Sequence, residues 1–173
     1  MSVPYEKIVA EDLNLGTNTV SVTMPAGGSA TGTQIGQHTL LAQAFGASRS
    51  STQSITASTL TTVQINTEDL DVRGWYDPAT YTFTPTVAGV YLLTAQVSLA
   101  SFTGTFTVEI YRGATSIAKM EAVRTAATAT INLSVIASAS GAEGFLVRVT
   151  QTSAGAVNVS SAQFAGVLIG KTA

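Results

Sequence analysis

The stretch Gly89–Leu99 alternates strictly at period two, with Tyr91, Leu93, Ala95, Val97 and Leu99 on one side and Val90, Leu92, Thr94, Gln96 and Ser98 on the other. Successive side chains of a strand point to opposite faces, so this segment reads as a strand with one oily and one mostly wet face. The pattern recurs. Phe106, Val108 and Ile110 alternate with Thr107, Glu109 and Tyr111, and Ile131, Leu133 and Val135 with Thr130, Asn132 and Ser134. Phe145, Val147 and Val149 oppose Leu146, Arg148 and Thr150. Near the end of the chain Ala162, Phe164, Gly166 and Leu168 oppose Gln163, Ala165, Val167 and Ile169. That strand is apolar on both sides, which fits burial in a sandwich or against a neighbouring subunit. Turn chemistry at Asp77-Pro78, Gly89, Gly113, Gly141 and Gly155 separates the segments, and strands so spaced predict a sandwich, jelly roll or barrel. The Ala-rich stretch from Arg124 to Thr130 lacks a helical apolar stripe, so no helix is expected there.

Two zones differ in texture. Over residues 1–54 apolar residues are sparse and glycines frequent, and only Thr19–Met24 alternates well enough for a strand. This zone reads as an extended N-terminal arm for attachment, and residues 55–173 as the sandwich. The chain is 45% hydrophobic but only 10% charged, against a usual charged share of about 25%, so Thr, Ser, Ala, Asn and Gln must cover much of its surface. Its net charge of −2 and singly scattered basic residues give no footprint for nucleic acid and no polybasic stretch for a membrane surface. No run of about 18 apolar residues predicts a membrane span. The N-terminal residues carry no apolar core, Glu11 and Asp12 interrupting, so no secretory signal is expected. The absence of cysteine excludes disulfides and Cys-zinc sites.

The stretch from Trp75 to Thr94, with Tyr76-Asp-Pro, Tyr81-Thr-Phe-Thr and Gly89-Val-Tyr, resembles the C1q-domain pattern of a turn, a Phe-Thr strand and a Gly-x-Tyr strand opening. Val108-Glu-Ile-Tyr-Arg-Gly, Val147-Arg-Val-Thr-Gln and Gln163-Phe-Ala-Gly-Val-Leu-Ile are similar to later strands of that family, in the same order. The likeness runs over about residues 55–170. It implies an all-β jelly roll of the C1q/TNF-like kind assembled as a homotrimer. Phe145, Val147, Phe164 and Leu168 are expected to pack the core or the trimer axis. The chain lacks a collagen-like stalk and cysteine, and in this it is similar to the C1q-like modules of phage structural proteins. The expectation is a virion component assembled in the host cytoplasm, a capsid decoration protein or head fibre whose partner is a capsid or other virion protein. The alternative is a tail-fibre tip or adhesin that recognises a host glycan through Trp75, Tyr76 and Tyr81.

Enzymatic chemistry finds little support. The single histidine, His38, lies in the glycine-rich zone without a nucleophile elbow, and Thr33-Gln34 stand where a phosphate-binding loop needs Lys and Ser or Thr. No residue set supplies nucleophile, base and stabiliser together, so neither catalysis nor a cofactor is expected. Glu68, Asp69 and Asp71 form the one acidic cluster and are the calcium candidates, since calcium takes several oxygen ligands. The competing explanation is an acidic turn pairing with Arg73.

Overall fold

The computed structural model describes residues 43–171, and among them there is no helix. The expectations on His38, on Thr33-Gln34 and on the arm before residue 43 lie outside the described residues. Ten strands follow one another among the described residues: β1 Ala44–Arg49, β2 Gln53–Ile55, β3 Thr61–Thr62, β4 Thr67–Asp71, β5 Tyr76–Asp77, β6 Thr82–Phe83, β7 Gly89–Arg112, β8 Thr115–Ala139, β9 Phe145–Gln151 and β10 Val157–Lys171. All pairings are antiparallel. The sheet begins at Ala44, upstream of the expected start at residue 55, because Ala44–Arg49 pairs along the length of β10 from Val167 to Ala162.

The strands form a jelly-roll sandwich whose two layers share β7 and β8. In one layer the order is β4-β1-β10-β7, with β8 beside the Gly89–Leu99 half of β7. In the other, β9 pairs with the Phe106–Arg112 half of β7, and β6 and β3 pair with β9. Buried positions of β7 are odd from Tyr91 to Leu99 and even from Phe102 to Ile110, so the strand changes which parity faces inward as it passes between layers. The register of β7 against β8 shifts at this corner, between Leu99 and Gly104. Gly104 sits there at φ +138, a conformation open to glycine and strained for other residues.

Aromatic rings knit the layers together. Phe45 of β1 stacks on Phe83 of β6 at 4.0 Å between centroids and meets Phe164 of β10 edge-on at 5.0 Å. Phe83 also touches Tyr91 and Phe145. Such ring contacts add to the area burial that drives sheet-on-sheet packing. Phe145, Val147 and Phe164 are fully buried within one chain, so they have no surface left for a neighbouring copy. Of the two placements expected, core or trimer axis, these three take the core of one chain, and Leu168 is half-buried against the same core. A charge at Phe164 would report on folding and not on assembly.

Candidate functional site

The sandwich turns two very different faces outward. Across β8, β7, β10 and β1, the side chains pointing away from the core fall into cross-strand rows fixed by register. One row is apolar: Ile136, Leu92, Val167 and Ala44. The next is small: Ser134, Thr94, Ala165 and Gly46. The third is amide-rich: Asn132, Gln96, Gln163 and Ser48. The last is hydroxylic: Thr130, Ser98 and Ser161. None of these side chains is ionisable. The nearest charges stand at the margins, where Asp69 accepts a hydrogen bond from the Ser48 hydroxyl at 3.0 Å and Arg112 donates to the Ser138 carbonyl at 3.1 Å.

Ile136 is 65% exposed and Ile169, near the end of β10, 52%. Leu70 of β4, opposite Gly46, is 53% exposed. A solvent-facing sheet surface normally alternates polar against the buried apolar side. Here large aliphatic side chains occupy it instead, and contiguous exposed apolar surface rimmed by polar groups marks interaction sites. Gln96, Asn132, Ser134 and Gln163 line a groove of about 300 Å³ on this face, and Gln96 Nε2 donates to Asn132 Oδ1 at 2.8 Å.

The opposite outward face is laced with charge. Lys119, Glu109 and Arg148 form one cross-strand row over β8, β7 and β9. Lys119 pairs with Glu121 at 2.8 Å, which pushes the lysine pKa up and the glutamate pKa down. The Arg148 guanidinium lies 4.6 Å from the Tyr111 ring centroid. Exposed ion pairs of this kind contribute little to stability but keep a face solvated.

The other candidate residues are not brought together as a site. Among the described residues no three His, Cys, Asp or Glu side chains converge to hold a metal ion. Asp71 is engaged in a turn, where its carboxylate accepts from the Arg73 amide at 3.1 Å and the Tyr76 amide at 2.6 Å. Asp69 is occupied by Ser48, and Glu68 stands in register with Ala47. The calcium expectation thus gives way to the turn explanation, although Arg73 contributes its backbone amide to Asp71. Of the aromatic trio, Tyr76 is buried, with its ring stacked on Phe45 and its hydroxyl donating to the Ile65 carbonyl. Burial, with Asp77 and Tyr81 nearby, pushes its pKa far above the ordinary tyrosine value. Trp75 packs against the core beside Phe83, and Tyr81 is half-buried at a positive φ of 59°. The three do not form one open aromatic platform.

A jelly roll that turns a neutral, partly apolar sheet face outward has the build of a binding or assembly module. The C1q domain model matches residues 44–169, and the chain belongs to the C1q domain family. Among solved structures it is similar to the globular domain of the zebrafish complement 1qA protein, at 17% identity and a TM-score of 0.61 over 75% of this chain and 99% of that one. Murine APRIL is similar at 12% identity and a TM-score of 0.60, over 74% and 99% of the two chains. PRD1 vertex protein P5 is similar at 16% identity and a TM-score of 0.51, over 73% and 96%. Among curated protein sequences none matches. No helix among the described residues is long and apolar enough to cross a membrane.

The charge-free face was only half visible in the sequence. The two-sided apolar pattern of β10 announced it, but Ile136 and Leu92 join it through pairings that period two alone does not specify.

Proposed function

We propose that the chain is a homotrimeric, non-enzymatic structural protein of a virion, a capsid decoration or head-fibre component that attaches through the residues preceding Gln43. The carrying observation is the neutral sheet face of β8, β7, β10 and β1. In a three-copy ring the side chains close to the rotation axis meet their own copies, and an ionised group placed there faces like charge. Aliphatic groups, hydroxyls and amides tolerate that placement, because hydroxyls and amides offer both donor and acceptor. This face holds only such groups, whereas the charge-laced face is suited to water. The apolar row supplies association free energy, at roughly 25 cal/mol per Å² of apolar surface removed from water. The likeness to a vertex protein supports a place on a particle, and the bland surface suits a coat component.

The test is location. Antibody raised against residues 44–171 should label purified particles, and deletion of residues 1–42 should abolish the label while the sandwich stays folded. Deletion must stop before Ala44, since β1 belongs to the sheet. Unlabelled particles together with a positive signal on a glycan array would contradict the structural role and favour a host-recognition tip, in which Trp75 and Tyr81 remain accessible for contact.

A further inference from the structure

The amide row sets long donor and acceptor side chains between rows of short side chains on a face whose other large groups are aliphatic. Asn132, Gln96 and Gln163 stand in register across β8, β7 and β10, and their one mutual hydrogen bond, Gln96 to Asn132, uses a single donor and a single acceptor. We infer that this row is the specificity element of self-assembly, fixing the number of copies and their register. The inference rests on the assembly reading above.

The physical reason is the difference between apolar and polar burial. Leu92, Ile136 and Val167 gain almost as much from a neighbour displaced along the strands by two residues, about 6.8 Å, as from one in place. Amides do not, because once withdrawn from water each remaining N–H and C=O needs a partner at hydrogen-bond distance. A second copy presents the same set of donors and acceptors, and the groove of about 300 Å³ beside the row has room for facing side chains. With the row about the rotation axis the amides of the copies satisfy one another, and an arrangement that slides the row onto the aliphatic row leaves them unpaired and is penalised. A polar layer within an apolar seam fixes register and copy number in this way while lowering stability. The absence of ionisable side chains from the row lets like meet like without repulsion.

The test replaces the row in the full chain by Gln96→Leu, Asn132→Leu and Gln163→Leu, singly and together, with native mass spectrometry and sedimentation velocity as readouts. The unaltered chain should run as one three-copy species. The triple variant should keep its strand circular dichroism, dissociate at a higher temperature and spread over two or more association states. A triple variant that remains one three-copy species overturns the specificity role and leaves the assembly reading standing, whereas an unaltered chain that runs as single copies overturns both. Gln163→Glu gives an independent reading. A protonated carboxyl still donates and accepts, but carboxylates on facing copies repel, so assembly raises the glutamate pKa and is favoured when the group is protonated. Association should therefore persist near pH 4 and weaken at least tenfold by pH 7, and association that ignores pH would remove the row from the contact.

Discussion

At Gly166 the fold leaves no space for even a methyl group. A Cβ there would lie 2.6 Å from Phe45 Cε1 and 2.7 Å from Leu93 Cδ2. Phe45 cannot swing aside freely, since its ring is held between Phe83 and Phe164. Gly166→Ala should therefore cost about 1–3 kcal/mol through overpacking, read as a lower denaturant midpoint with an unchanged slope, and a variant of undiminished stability would show that the rings yield. Alternation put Phe164 and Gly166 on one side of a strand apolar on both, and nothing in it said that position 166 had to be small, because that depends on a ring from β1. Arg49 teaches the same lesson. In sequence it is one scattered basic residue of a polar zone, yet it is 7% exposed, and its guanidinium donates to the Gln64 carbonyl at 2.7 Å and the Thr52 carbonyl at 2.8 Å. Burial of this kind depends on tertiary partners that alternation does not reveal.

Among elements, the long hairpin of β7 and β8 departs most from its reading in sequence. Period two located Gly89–Leu99 and Phe106–Ile110 as separate strands, and the structure joins them through a corner at which inward parity changes. The parity change was present in the sequence, since Leu99 is odd and Phe106 even, but a corner and a turn leave the same mark. β1 was missed because its small and polar residues, Ala44, Gly46 and Ser48, face outward while only Phe45 and Ala47 are apolar and inward. The connection from β8 to β9 carries its own titration. Glu143 accepts from both the hydroxyl and the amide of Ser140 at 2.6 Å, and these bonds to the charged form lower its pKa from the ordinary 4.5 to about 2. A depressed carboxyl favours the folded turn above its ordinary pKa, and that contribution fades as pH falls from 4.5 towards 2. Carbon-detected NMR should give a Glu143 midpoint near 2, and Ser140→Ala should move it back towards the ordinary carboxylate range. A midpoint near 4.5 in the unaltered chain would mean the turn does not hold that carboxylate.

For the whole molecule, the distribution of charge matters more than its amount. The layer of β7, β8 and β9 carries Glu109, Lys119, Glu121 and Arg148 outward, and the four rows that run from residues 130–136 of β8 through residues 92–98 of β7 to β10 and β1 carry no ionisable side chain. Low overall charge was plain in the composition, and the all-β jelly roll was legible from alternation and from four family-like stretches in order. The segregation of what charge there is was not, because it depends on which half of β7 and β8 lies in which layer. Ile136, 65% exposed, lies on that charge-free face, while Tyr76, a ligand-patch candidate only in the alternative reading, is buried and Trp75 packs partly buried against the core.

The most direct measurement is sedimentation equilibrium of the unaltered chain beside Ile136→Lys, at micromolar concentration and physiological salt. The unaltered chain should sediment at three times the chain mass. Ile136→Lys should sediment at one chain mass with its strand circular dichroism intact, because it puts a charge into the apolar row of the contact without touching the core. Three-copy association undiminished by Ile136→Lys, or an unaltered chain that sediments as a single copy, would contradict the assignment of this face to self-assembly.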